Sequence, residues 1–461
     1  MNFIDKSDIR TLFSRAMSTM YRSEVPKYGT LLEMVDEVNK STLTHDPALK
    51  QLLSETDNLS RISEERHGAI RLGKPEELHT MRRLFAVMDM HPVGYYDLSI
   101  AHMPVHSVGF RPIDHDALKK NPFRIFTSLL RVDLISDPTV QKIVNRAMAS
   151  RHIFSNNTMA LIVLSEKQNG LTEQQAKEFV NEIIEIFRWH DKAIVTLPDY
   201  HLLTSAHPLA ADIASFNGPH INHLTPRTLD IDRVQAMMPE RNINPKAVIE
   251  GPPKRHAPIL LRQTSFKALE EPVFFPTSGG QYEPGMHRAR FGEIEQRGIA
   301  LTEAGRKLYD ILTEKVRQKI VPTVDGSNAK EYNDTLKKIF LDFPDSVNIL
   351  REKQFIYLEY YPTQKGLDAS TDVLKKHNID SLIIENFISY APMTYEDFLP
   401  VSAAGIFSSN LGEKESERIK THSDQPEFEK ALGRKTLDPF VLYAKQQQDS
   451  LLKTLKRLKI Q

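Results

Sequence analysis

The sequence predicts an α+β fold built from two strand–helix–strand–strand–strand modules and decorated by helices. Three observations predict it. Short apolar runs alternate between turn residues, longer segments carry helical periodicity, and one order of elements occurs twice. "RHGAIRL" (66–72) reads as the opening strand of the first module. "PEELHTMRRLFAVM" (75–88) follows as a helix, with Pro75 suited to a first helical turn. "GYYDLS", "VHSVGFRP" and "FRIFTSLLRVDL" are the three strands that complete it. The second module opens on "HINHLTP" (220–226) and passes through the short helix "DIDRVQAMMPE" (230–240). "NPKAV" and "PPKRHAP" are turns or a weak strand, and the module closes on "ILLRQTSFKAL" (259–269) and "ARFGEIEQRGIAL" (289–301). The two modules share element order, not residue identity.

Three regions follow. Residues 1–60 read as a polar helical segment. Residues 61–320 read as a β core, the one that carries the candidate metal ligands, with a helical insertion at about 137–215. In that insertion Asp137 before Pro138 is an N-cap, and Thr172 with Gln175 forms a capping box. Ala176, Phe179, Val180, Ile183, Ile184 and Phe187 make one helical stripe. Residues 321–461 form an α/β region expected to complete the substrate pocket. It holds a helix at 330–341, the aromatic strand "FIYLEYY" (355–361), further strands through 407 and a basic amphipathic tail, "LLKTLKRLKIQ".

Composition narrows the function. Lys+Arg and Asp+Glu both number 60, so no net field draws the chain to nucleic acid or to a membrane. No apolar run approaches the roughly 18 residues of a membrane helix. "MNFIDKSDIR" lacks the apolar core of a signal peptide. The expectation is a soluble, cytoplasmic protein with no nucleic-acid or membrane partner; its oligomeric state is left open. With no Cys, disulfides, thiolate nucleophiles, zinc–thiolate sites and iron–sulfur clusters are excluded. A metal would be held by His, Asp and Glu.

Strand parity selects the candidates. Alternate strand residues face the same side, so His67, Ala69 and Arg71 share a face and span about 13 Å. A metal at His67 and a guanidinium at Arg71 could hold the two ends of one small acid, because the Arg fork meets a carboxylate bidentately. His220 and His223 have opposite parity, so a regular strand points only one of them inward. His223, just before "TPR", is the better candidate, and His220 is then a surface or supporting group. "FGEIEQRG" (291–298) places two glutamates in a strand, where acidic residues are depleted. Glu293 and Glu295 have the same parity, so spacing does not choose between them. One His from the opening strand of each module and one of these carboxylates would form a two-His, one-carboxylate face. Such a face leaves open positions and suits non-haem Fe(II) enzymes that use O₂. Arg111 and Arg131 are strand arginines that could assist Arg71 but are better explained as structural ion pairs.

"RHGAIRLG", "HINHLTPR", "RFGEIEQRGIALT" and "FLPVSAAGIFSSNL" together resemble the 2-oxoadipate dioxygenase/decarboxylase (2-hydroxyglutarate synthase) family, a branch of the vicinal-oxygen-chelate superfamily. The resemblance covers most of the chain. "EIEQR" also looks like the metal-ligand strand of 4-hydroxyphenylpyruvate dioxygenase, which selects Glu293 over Glu295. The resemblance implies a vicinal-oxygen-chelate-like curved sheet or half-barrel. It implies His67, His223 and Glu293 as ligands of Fe(II), a site that Zn, Ni or Mn could also occupy. It implies Arg71 as the carboxylate clamp, and Val401 and Ser402 against the substrate. The implied reaction converts 2-oxoadipate and O₂ to 2-hydroxyglutarate and CO₂, in lysine degradation. Two other readings keep these residues in view: a redox-silent isomerase or lyase of the same superfamily acting on a small oxo acid, and a binding scaffold whose His and Glu are incidental.

Overall fold

A computed structural model of the chain describes residues 2–55, 59, 61–323, 325–399 and 423–460. The chain divides into two compact units. The first comprises Met1–Glu250, Gln263–Gln296 and Asp397–Leu437. The second comprises Gly251–Arg262, Arg297–Glu396 and Asp438–Gln461.

The first unit is built on a five-stranded sheet. Its strands are β1 (Arg66–Leu72), β2 (His91–Asp97), β3 (Val105–Arg111), β4 (Arg124–Leu130) and β5 (His223–Pro226), in the order β2-β3-β4-β1-β5. β1 runs parallel to β4 and antiparallel to β5. A parallel neighbour needs a crossover, and the helix Pro75–Ala86 with the β2–β3 hairpin supplies it. This is the predicted order of the first module. Gly68 lets β5 come close: a Cβ there would lie 2.5 Å from Ile221 Cδ1 and 3.0 Å from the His223 carbonyl oxygen.

The second module departs from a copy of the first. Its opening strand begins at His223 rather than at residue 220, because the Ile221 and Asn222 amides donate to the carbonyls of Phe187 and Ala69. β5 then joins the first module's sheet. β6 (Leu261–Ser265) pairs with β9 (Glu293–Arg297), a shorter strand than the sequence pattern suggested. A hairpin of β7 (Glu270–Pro276) and β8 (Tyr282–Arg288) stands between them. Its proline, glycine and acidic residues run against strand propensity, which hides it from pattern reading.

The alternation along β1 and β4 sorts two cores. Ile70, Leu72, Ile125 and Leu129, with Leu224 of β5, face one way. They belong to a core with Phe13 of the helix Lys6–Glu24, Leu84 of Pro75–Ala86, and Phe179 and Ile183 of Glu173–Ile184. Ala69, Phe126 and Leu130 face the other way, in a core with Val144, Leu203, Ile213 and Phe398. The Asp137 cap and the Thr172–Gln175 capping box both form. In the N-terminal helix the buried Arg10 donates to the carbonyls of Asn121, Met88 and Ala117 at 2.7–2.9 Å, so a helix that reads as polar is pinned to the core by charge-assisted bonds.

In the second unit β10 (Leu358–Pro362) pairs antiparallel with β11 (Ile388–Pro392). The basic C-terminal helix Pro439–Arg457 packs beside β10, where the Leu358 amide donates to Gln447 and Thr454 donates to the Tyr360 carbonyl. No helix among the described residues is long and apolar enough to cross a membrane.

Candidate metal centre

Sheet register explains why the candidates meet. On β1 and β5 Ala69 lies opposite His223, and His67 opposite Thr225. Residues directly opposite on paired strands share a face, so His67, Ala69, Arg71, His223 and Thr225 all project to one side. Glu293 reaches the same point from β9. Its Oε1 lies 3.0 Å from His67 Nε2 and 3.7 Å from His223 Nε2. It also accepts from Thr225 Oγ1 at 2.9 Å and Gln263 Nε2 at 3.1 Å. His67, His223 and Glu293 are fully buried and offer three ligand atoms within 4.8 Å of one another.

The donor chemistry fits a cation. Both ring nitrogens of His223 and Oε2 of Glu293 are buried without a hydrogen-bond partner. Each such atom costs about 1–3 kcal/mol unless something satisfies it. Burial pushes His223 down to about 4, against the pull of Glu293, so its ring is neutral and can donate a lone pair. Burial would raise Glu293, but His223 and His67 outweigh it and keep the carboxylate below its ordinary range. Burial would lower His67, and the carboxylates of Glu295 and Glu293 reverse that.

The structure separates the two glutamates that parity left equivalent. Glu293 meets Nε2 of His67, whereas Glu295 Oε2 lies 3.0 Å from Nδ1 on the far side of the same ring. Only Glu293 falls within reach of both imidazoles in the cluster. Aromatic rings close the site: Phe398 stands edge-on to His67 at 5.3 Å, and Phe291 lies 4.8 Å from His223.

Arg71 points toward a cavity of about 410 Å³ lined by Arg71, Tyr200, Asp212, Met286, His287 and Phe291 among others. Its Nη1 donates to Asp212 Oδ2 at 2.5 Å. Asp212 Oδ1 accepts from His287 Nε2 at 2.9 Å, and Tyr200 Oη lies 2.9 Å from His287 Nδ1. His220 is not a surface residue, as one sequence reading had it. It is buried, with Nε2 3.1 Å from Asp212 Oδ1. Asp212, His220 and His287 therefore form a second buried cluster with metal-ligand spacing. Charge argues against a cation there. Arg71 already neutralises Asp212, and a divalent ion would leave excess buried charge, at several kcal/mol per ion. Burial would raise Asp212, but Arg71 and His220 hold it well below the carboxylate range.

Arg111 holds Asp397 through two bonds at 2.6 and 3.1 Å, and Arg131 holds Asp133 through two at 2.8 and 2.7 Å. The Arg111–Asp397 pair is buried beside Phe398, at the start of the "FLPVSAAG" segment. Val401 and Ser402 lie outside the described residues. Sequence reasoning missed Thr225, Gln263, Asp212, His287 and Tyr200. Thr225 was within reach, since it shares parity with His223. The larger cleft, about 800 Å³, belongs to the second unit and is lined by Glu303, Arg306, Asp310 and other charged residues, none of them a predicted site residue.

Two imidazoles and one carboxylate converging in a closed, partly aromatic site are a donor set shared with mononuclear metal-dependent enzymes. The chain belongs to the 2-oxoadipate dioxygenase/decarboxylase family, which it matches over residues 13–410. It is 47% identical to the 2-oxoadipate dioxygenase/decarboxylase of Pseudomonas putida over 450 residues, covering 98% of this chain and 97% of that one. It is 48% identical to that of Escherichia coli over 449 residues, covering 97% and 98%. Among solved structures it is similar to the hydroxyglutarate synthase of P. putida in complex with 2-oxoadipate, with a TM-score of 0.91, 46% identity and both chains fully covered.

Proposed function

We propose that this chain is an Fe(II)-dependent 2-oxoadipate dioxygenase that converts 2-oxoadipate and O₂ to 2-hydroxyglutarate and CO₂. The reaction balances: six carbons and O₂ give a five-carbon hydroxy acid and CO₂, and both oxygen atoms of O₂ are retained between the two products. The observation that carries the reading is the approach of one ligand atom each from His67, His223 and Glu293 to within 4.8 Å in a buried site, in a chain 47% identical to a relative of that name.

His67, His223 and Glu293 would hold the metal on one face and leave the opposite face to ligands. Bound iron would supply the open positions and the electrons for O₂ chemistry. Arg71, on the same strand face as His67, would meet the distal carboxylate, and Asp212 keeps its guanidinium in place through Nη1. Phe291 and Phe398 would keep water from the reacting carbon, and Val401 and Ser402 would contact the substrate. A vicinal-oxygen-chelate-like arrangement is supported by one imidazole on the opening strand of each module and by the carboxylate on the last strand.

The test is anaerobic loading of the apo-protein with Fe(II), then exposure to O₂ with a panel of 2-oxo acids. One O₂ consumed per CO₂ released with 2-oxoadipate, and 2-hydroxyglutarate as product, is the expected result. No O₂ uptake with any acid of the panel would leave the redox-silent isomerase or lyase reading in its place.

A further inference from the structure

Glu293 and Glu295 stand two residues apart on one face of β9, about 7 Å along the strand. His67 stands between their carboxylates, with Glu293 Oε1 3.0 Å from Nε2 and Glu295 Oε2 3.0 Å from Nδ1. All three side chains are fully buried. A neutral imidazole carries one N–H and one lone pair. The lone pair must be at the nitrogen that binds metal, so the proton must be at the other. The group facing that other nitrogen is the carboxylate of Glu295.

His223 provides the contrast. Its Nδ1 has no hydrogen-bond partner, and its ring is held against Phe291 at 4.8 Å. One imidazole of the site is thus backed by charge and the other by packing. The Nδ1–Glu295 contact is at ion-pair distance but outside ideal hydrogen-bond alignment. A cation at Nε2 would fix one edge of the ring, and the carboxylate at Nδ1 faces the other, so the two together set the ring's rotation.

We propose that Glu295 is the positioning residue for His67, accepting a hydrogen bond from Nδ1–H so that Nε2 presents its lone pair to the metal. This deepens the metal site proposed above and rests on it. It also accounts for a second buried acid in a strand that needs only one for ligation. Carboxylates that support ligating histidines typically change metal affinity 10–100-fold when removed.

The experiment titrates apo-protein with Co(II) or Zn(II), with no turnover involved. Wild type should bind one equivalent at the triad. Glu295→Gln keeps shape and loses charge, and should bind the same equivalent at least 10-fold more weakly. Glu295→Asp should recover part of the loss. An affinity within twofold of wild type in Glu295→Gln would overturn the proposal, as would equal losses in both variants accompanied by equal losses of melting temperature. Should neither variant fold, ¹⁵N spectra of Zn(II)-loaded wild type, labelled at histidine, decide the matter. His67 bound through Nε2 with Nδ1 protonated supports the proposal, and ligation through Nδ1 overturns it. If wild type binds no divalent metal at all, the metal-site reading fails first and separately.

Discussion

At the scale of residues, the site makes two unequal demands. His223 would contribute a lone pair, and its ring, whose nitrogens have no hydrogen-bond partner, packs against Phe291. His223→Ala should therefore abolish stoichiometric metal binding, and the cavity left by a fully buried ring should lower apo-protein stability by about 2–5 kcal/mol, as measured by metal analysis after dialysis and by denaturant unfolding. In the proposed reading Arg71 would have a different task, to meet the distal carboxylate. Arg71→Lys keeps a cation beside Asp212 but loses the planar fork, and the two side chains are not interchangeable at such a site. KM for 2-oxoadipate should rise by about 10-fold or more, the loss of one charge-assisted bond of about 1.5–3 kcal/mol. KM for 2-oxohexanoate, which has no distal carboxylate, should barely move, and metal content should not change. Parallel steady-state series on the two acids read this directly. His67 and Arg71 were visible as a pair on one face because β1 is regular, and parity survives wherever a strand is regular; on β9 parity left Glu293 and Glu295 equivalent, and only the resemblance selected Glu293. Of the two readings of His220, surface or supporting group, the buried contact with Asp212 leaves the second; the chain before His223 is irregular, so parity could not choose between them. Asp212 sits on a short helix, and nothing in its local sequence marks it as the partner of Arg71.

At the scale of elements, the ligand strands are fixed from behind. Tyr21, on the N-terminal helix Lys6–Glu24, places its hydroxyl 2.7 Å from the Phe291 carbonyl and 3.0 Å from that of Asn222. Those carbonyls immediately precede β5 and lie two residues before Glu293 on β9. Glu65, at the foot of β1, is fully buried and gathers Arg61, Arg124 and Arg227 at 2.8–3.4 Å. Glu65→Ala would leave three buried guanidinium groups without their shared carboxylate. Breaking a buried pair in this way costs about 3–5 kcal/mol, and denaturant unfolding should show at least that loss. The first module was legible because its turns and its strand–helix–strand–strand–strand order are conventional. The β7–β8 hairpin was not, because Pro272, Pro284 and Gly285 with five acidic or basic neighbours look like loop. The partition of the sheet into two cores is a tertiary fact: either face of an alternating strand could have met solvent.

At the scale of the whole molecule, stability should depend on pH through histidines that fold holds neutral. Burial, then Arg131, pushes His106 down to about 4. Burial, then Arg71, pushes His207 down to about 4. Both are buried in the folded protein. An unfolded histidine titrates near 6.5, so the unfolded chain takes up protons first as pH falls. The stabilising contribution is full above about pH 6.5, declines between 6.5 and 4, and levels off below. Each histidine contributes on the order of 3 kcal/mol across that window. Unfolding midpoints measured from pH 7.5 to 4 should fall accordingly, and His106→Gln should flatten part of the slope.

The central claim is that one divalent cation sits among His67, His223 and Glu293. A crystal of the metal-loaded protein, measured at the absorption edge of the metal, tests it most directly. The account predicts a single strong anomalous peak about 2.0–2.2 Å from Nε2 of both histidines and from a Glu293 oxygen. A peak at Asp212, His220 and His287 instead, or none at the triad in protein that binds one equivalent in solution, would contradict it.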